Sequence, residues 1–435
     1  MKVLIVNTSE TTGGAAVAAR RLTSALNNNG VKAKMLVRDK ASHGADDGHP
    51  QTFNPTTVEC GNRLTGLWHF LWERIVIYLH MHLKYARVFQ VDIANSGFDI
   101  TRLPEFKEAD VVHLHWVNQG MLSLKGIKKI LKSGKPVVWT MHDQWPSTAI
   151  CHYARNCRRY TNHCGRCPLL PGNGSDNDLS ARVWRQKQQL LQTGSITFVT
   201  CSRWLEGEAK RSALLRNQTV TSIPNAIDTR TFCPHDRMEA RRSLGLPVEG
   251  HVILFVSQRV TDERKGISYF IEALRHFAEQ QPQTASQTTV AILGGHADEI
   301  VDLLPLPAHQ LGYVSDEQTI VNVYSAADVY VTPSLEDNLP NTLMEAMACG
   351  VPCVGFRVGG IPEMIDHQRN GFLADPRDSE TLAKGIGWVL GEADREELRR
   401  DALRKVAHNY SQTSVSMHYI EVYQQAIAEQ QFNIR

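Results

Sequence analysis

The sequence lacks an excess of charge of either sign. Its 47 Lys and Arg against 45 Asp and Glu leave a net +2, and no basic stripe stands out. That excludes the electrostatic footprint of a nucleic-acid binder. No run of eighteen uncharged apolar residues occurs, so no membrane-spanning helix is expected. The N-terminal stretch MKVLIVNTS lacks a long apolar core and a cleavage site, and reads as a strand rather than an export signal. The expected location is therefore cytoplasmic, where nine cysteines argue against a disulfide framework. Internal repeats and low-complexity segments are absent. So is the Gly-x-Gly-x-x-Gly fingerprint of nicotinamide-dinucleotide folds. What is there is a 435-residue chain of 42% hydrophobic content, enough for two α/β domains.

Residues 329–365 carry the most information. Val329-Tyr330-Val331-Thr332 reads as a short buried strand ended by Pro333, which has no N–H for the ladder. A polar loop, Ser334 to Asn338, follows. Pro340 suits the first turn of a helix through Leu343, Met344, Met347 and Ala348, with Gly350 closing it. The next strand is Val351 to Phe356, and Gly359-Gly360-Ile361-Pro362 opens another helix. Two helix N-termini at one sheet edge favour a phosphate or diphosphate. Glu336, Asp337 and Glu345 beside such a site suit hydroxyls: a sugar and a ribose flanking a diphosphate.

Residues 334–354, SLEDNLPNTLMEAMACGVPCV, resemble the signature of the retaining GT-B glycosyltransferases of glycosyltransferase family four. That signature is a carboxylate, seven residues, then Glu and Ala-Met-Ala-Cys-Gly. Register aligns Asp337 with the first acid and Glu345 with the second. The family's first acid is ordinarily Glu, and Glu336, at a spacing one residue longer, is the alternative. The resemblance implies two Rossmann-like domains with parallel sheets facing a central cleft. Their expected extents are 1–224 for the acceptor side, 225–411 for the nucleotide-sugar side, and 412–435 for a helix returning to the first domain. Thr221 to Asp228 resembles the family's interdomain segment. The activity implied is retaining transfer of a sugar from a nucleotide-sugar to a hydroxyl of a glycan or lipid-linked acceptor, with no cofactor required for catalysis. Bacterial surface-polysaccharide assembly is the expected setting. The rivals are a sugar-nucleotide epimerase of the same fold and a non-catalytic sugar-nucleotide-binding protein.

Site residues follow from the same resemblance. Arg259 and Lys265 align with the family's diphosphate-binding Arg and Lys, and two cations remove the need for a metal as the leaving group departs. Gln258 replaces the usual Gly, and Arg264 adds a charge of unassigned role. Leu311-Gly312-Tyr313-Val314 resembles the segment whose backbone reads the nucleobase. Asp337 with Asn338, Leu339 and Pro340 would hold the donor sugar, and Glu345 the ribose. Gly13-Gly14, at the start of the first helix, resembles the family's loop facing donor diphosphate and acceptor; a plain βα turn is the competing reading.

His142 follows the strand Val137 to Thr140, where α/β folds build sites. Its expected task is to position a hydroxyl or to help move a proton; a structural His bonded to Asp143 is the alternative. His113 and His115 share one strand face. Cys151, Cys157, Cys164 and Cys167 suggest a structural zinc, the last two as Cys-x-x-Cys, with His152 or His163 as substitute ligands. Free thiols or a redox pair are the alternatives. Asp176-Asn177-Asp178 matches a metal-binding D-x-D of transferases with another fold, but its Gly/Ser/Asn surroundings predict a turn or helix cap. Residues 40–62 read as loop and Ile196 to Thr200 as the last strand of the first sheet. The helix Leu64 to Leu79 is aromatic and apolar around much of its surface, flanked by Arg63, Arg74, Lys84 and Arg87. It reads either as a membrane-surface helix, making the protein peripheral at the inner face, or as one buried at the acceptor face or a dimer contact.

Overall fold

Continuous apolar runs such as Val3-Leu4-Ile5-Val6 cannot face water on either side, and they form strands buried on both faces. The computed structural model describes residues 1–41, 56–83 and 87–434; the polar stretch 42–55 and Lys84 lie outside the described residues. Contacts divide the chain into two units, Met1–Ala226 with Val415–Arg435, and Ile227–Ser414.

The first unit holds strands β1 (Lys2–Ser9), β2 (Lys32–Asp39), β3 (Thr57–Glu59), β4 (Val111–Leu114), β5 (Val137–Met141), β6 (Thr197–Thr200) and β7 (Thr219–Ser222). They form one parallel sheet in the order β3-β2-β1-β4-β5-β6-β7. Two readings from sequence are corrected here. The supposed loop contains β3, and β7 rather than β6 ends the sheet; both are short edge strands without the run of apolar residues that marks an inner one. Helix α1 (Gly14–Asn28) packs Ala19, Leu22 and Leu26 on one face of the sheet, beside Tyr419 and Tyr423 of the last helix.

In the second unit β8 (His251–Arg259), β9 (Thr288–Gly295), β10 (Ala308–Gly312), β11 (Val329–Thr332), β12 (Cys353–Phe356) and β13 (Gly371–Ala374) run parallel in the order β10-β9-β8-β11-β12-β13. Its core gathers Phe255, Phe270 and Phe277 with Val331 and Phe356. In both sheets the chain order reverses beside the first strand, between β1 and β4 and between β8 and β11. Open α/β sheets bind ligands outside the carboxyl ends of strands at such a switch point. That picks out the loops after Ser9 and Leu114 in one unit, and after Arg259 and Thr332 in the other.

Candidate active site

In the second unit the loops after β8 and β11 are stitched together. Arg259 ends β8, and its Nε donates to Thr261 Oγ1 at 3.0 Å. A single turn, Glu263–Lys265, is capped by Asp262 and closed by Gly266 at φ 72°. A Cβ at Gly266 would overlap the Pro333 carbonyl oxygen, so only glycine allows this approach. The Leu335 N–H then donates to the Arg264 carbonyl at 2.8 Å.

That contact brings cations onto Asp337. Lys265 Nζ lies 2.6 Å from Asp337 Oδ2, and Arg264 Nη1 lies 3.5 Å from the same oxygen while donating to the Glu336 carbonyl at 3.1 Å. Asp337 is buried, which by itself would raise its pKa; Lys265 and Arg264 outweigh that and hold the carboxyl below its usual range. Glu336 stays partly exposed. The register choice between the two acids thus has a geometric counterpart, since Lys265 meets Asp337. Arg264, unassigned from sequence, is the residue that reading missed. Its only signal was its place next to Lys265.

Glycine fixes the other side of Asp337. Gly359 has φ 55°, and a Cβ there would overlap the Asp337 carbonyl oxygen, which also accepts from the Gly360 N–H at 3.2 Å. Gly359→Ala should therefore displace Asp337, lowering stability by about 1–3 kcal/mol and activity with it. Urea unfolding and initial rates on one preparation check this; an unchanged variant would contradict it. After Asp337 come the buried Asn338, Leu339 and Pro340, then α2 (Asn341–Ala348). Pro340 contributes no side-chain cap, so the first-turn amides point out of the helix end. The second helix expected after Gly360 is one turn, Ile361–Met364, too short for a dipole of consequence. Glu345 lies on the buried side of α2, where the Tyr324 hydroxyl donates to its Oε2 at 2.8 Å. Gly312 and Tyr313 stand at the carboxyl end of the edge strand β10, with Tyr313 largely exposed.

In the first unit Gly13 (φ 90°) precedes α1, with nothing within 4 Å of where its Cβ would lie, and Gly14 is the first helical residue. His142 follows β5. Its Nε2 is 2.9 Å from His115 Nδ1, and Cys201 Sγ is 3.5 Å from its Nδ1. His115 in turn lies beside His113, at 4.3 Å between ring centroids and tilted by 48°, so the two do share a face. His113 bonds the Tyr423 hydroxyl and Thr140 Oγ1, each at 2.7 Å, so the last helix braces this histidine column. Burial pushes the His142 pKa down to about 4, and Asp143 only partly opposes it. The imidazole is neutral at pH 7.

Asp143 acts electrostatically on His142, and its own bonds lead elsewhere. It accepts from Trp116 Nε1 at 3.0 Å and from His152 Nδ1 at 2.7 Å. The other His152 nitrogen meets Asp92 at 2.5 Å, and Asp92 also pairs with Arg74. Burial alone would lower the His152 pKa; the two carboxylates outweigh it and raise it to about 10. With both nitrogens committed, His152 is not a substitute zinc ligand. Cys151, Cys157, Cys164 and Cys167 are electrostatic neighbours, and burial pushes the Cys151 and Cys164 thiols up to about 12 and Cys167 to about 11. Among the described residues no group of three or more His, Cys, Asp or Glu is arranged to hold a metal ion. Asp178 caps the helix Leu179–Leu191 by accepting from the Ala181 N–H, as the D-x-D surroundings predicted.

Sequence comparison agrees with this architecture. The profile described as Glycosyltransferase Family 4 matches residues 12–231, and that described as Glycosyl transferases group 1 matches residues 250–392. An uncharacterized glycosyltransferase of Methanocaldococcus jannaschii is 27% identical over 78% of this chain and 90% of its own. A D-inositol 3-phosphate glycosyltransferase of Saccharomonospora viridis is 23% identical over 76% and 74%. That of Acidothermus cellulolyticus reaches 30%, though the match spans about half of either chain. Among solved structures, sucrose-phosphate synthase of Thermosynechococcus elongatus superposes with a TM-score of 0.64 at 19% identity, over 99% of this chain and 100% of its own. Anabaena HepE in complex with UDP-glucose gives 0.61 at 16%, over 98% and 100%. The fold is GT-B, and the molecule is a glycosyltransferase. It belongs to Glycosyltransferase Family 4.

Proposed function

We propose that the chain moves a hexose from a nucleoside diphosphate sugar to a hydroxyl of a glycan or lipid-linked acceptor, with retention at the anomeric carbon, in polysaccharide assembly at a membrane face. The observation carrying this reading is the convergence of Lys265, Arg264 and Asp337 at the carboxyl ends of β8 and β11, next to the start of α2. In it, Arg259 and Lys265 hold the diphosphate and stabilise the charge that grows as it leaves. Asp337 and the N–H groups of Asn338, Leu339 and Asn341, with Pro340 between them, hold the donor sugar, and Glu345 takes the ribose hydroxyls. Gly312 and Tyr313 present backbone to the base. Gly13 and Gly14 let backbone approach the substrate closely. The UDP-glucose bound to HepE supports a UDP-sugar as the first donor to try.

His142 is assigned to positioning a hydroxyl rather than to carrying a proton. A group titrating near 4 predicts that kcat stays flat from about pH 5.5 to 8. A limb near pH 6.5 that disappears in His142→Asn would overturn the assignment. A structural zinc on Cys151, Cys157, Cys164 and Cys167 is proposed for the Cys-rich loop on the condition that the four thiols, electrostatic neighbours not arranged here as a ligand set, close up on binding. Ligation must release protons from thiols that burial holds protonated. Metal analysis finding far less than one equivalent per chain would remove it.

The decisive experiment incubates the protein with a panel of nucleotide sugars and a lipid-diphosphate acceptor. Expected are a glycosylated product with the donor's anomeric configuration and full activity in chelator. Conversion of the donor without any acceptor product would point to an epimerase, and no turnover with any donor to a non-catalytic role.

A further inference from the structure

Helix α3, named here for Arg63–His80, is built inside out. Its two mid-helix charged residues face inward: Glu73 is fully buried and accepts from the Ile93 and Ala94 N–H groups at 2.8 and 2.6 Å. Arg74, also buried, donates to the Val88 and Val91 carbonyls and pairs with Asp92. The outward face carries Leu67, Trp68, Leu71, Trp72, Ile75 and Leu79, each between 42 and 59% exposed. Their spacing of three and four draws one continuous stripe, and the two indoles stack at 6.0 Å. A helix in contact with water buries such a stripe and exposes its charges; the reverse marks a surface meant for an apolar partner.

We propose that this face docks the protein on a lipid surface carrying anionic headgroups. Between Glu59 and Asp92 the sequence contains one acid, Glu73, and it is buried. The exposed charges at the two ends are basic: Arg63 before the stripe and Arg87 after it. Arg87 donates to the Pro168 carbonyl and still faces solvent. Indoles suit the boundary between acyl chains and headgroups, and guanidinium groups at its margins suit anionic lipid. A second copy of the chain fits less well. An isologous pairing would set the start of one helix against the end of the other, Arg63 against Arg87, with no exposed acid between Glu59 and Asp92 in the sequence to answer them. No helix among the described residues is long and apolar enough to cross a membrane, so the contact is interfacial. The inference goes beyond the proposed reaction, since it holds whether or not the acceptor is lipid-linked.

The test is flotation of the full chain with vesicles of phosphatidylcholine alone or with about 30% phosphatidylglycerol. Expected is binding that anionic lipid strengthens and salt weakens. Trp68→Ser, Leu71→Ser and Trp72→Ser combined should reduce it at least about tenfold while leaving the urea midpoint within error. Quenching of tryptophan fluorescence by brominated acyl chains reads the same contact without a variant. The proposal fails if neither vesicle binds and quenching is absent, or if the triple variant binds as the parent does. A lipid-free dimer, seen by light scattering and lost in the triple variant without any vesicle binding, would instead assign the face to a second copy.

Discussion

Lys265→Ala is expected to lower kcat by roughly two to three orders of magnitude, the usual effect of deleting one preorganised charge aimed at a leaving group. Two losses add here. The departing diphosphate loses a cation, and Asp337 keeps Arg264, 3.5 Å away, and the Asn338 N–H against the burial that pulls its pKa up. Arg259→Ala, which strips a cation without touching Asp337, should reduce kcat comparably and leave unfolding unchanged. Arg264→Ala should fall between these and the parent. Steady-state kinetics on the three variants, each with its urea midpoint, separates the roles. A Lys265→Ala enzyme within about threefold of the parent would remove lysine from the chemistry.

His152→Gln should destabilise the protein by about 3–5 kcal/mol at neutral pH, because it leaves Asp92 and Asp143 buried without the cation between them. The effect has a defined pH window. His152 titrates near 10 in the folded chain and near 6.5 when unfolded, so its contribution is whole below about pH 6.5 and gone above about 10. The gap between parent and variant should close across that range. The parent's own curve is a poorer guide. Lys187, buried against Trp145 and the Thr148 carbonyl, is lowered to about 7, so folding resists its protonation. That penalty is full below pH 7 and relieved as pH rises toward 10.5, opposing His152 over the same interval. Urea denaturation of both proteins at pH 6, 8 and 10 checks this; a constant gap would mean His152 is not the charged member of the cluster.

What sequence reveals here follows from how each element is stabilised. Strands β1, β5 and β11 announce themselves as apolar runs because both their faces are covered. Strand β7, Thr219-Val220-Thr221-Ser222, pairs on one side only and carries no such run. Lys265 and Asp337 were legible because each sits at a fixed offset in a local pattern. Arg264 was not, since its role depends on the Leu335 amide drawing two distant loops together. The His152 cluster was illegible for the same reason. Asp92 lies sixty residues before it, and only the folded sheet places them in contact. In the sequence α3 reads as apolar around much of its surface, so which face is the outward stripe is not legible there. That face is decided by Glu73 and Arg74, whose partners at residues 88–94 no periodicity predicts.

The first unit is not a contiguous length of chain. Tyr419 and Tyr423, whose hydroxyls reach Thr140 and His113, belong to its core, yet they follow the whole of the second unit. On the ribosome, at roughly 5–20 residues per second, the β1–β4–β5 face therefore waits on the order of ten to forty seconds for its cover. A nascent chain stalled after the first 226 residues would expose Val3, Ile5 and Val138 and bind chaperones, and translation into the final helix would release it.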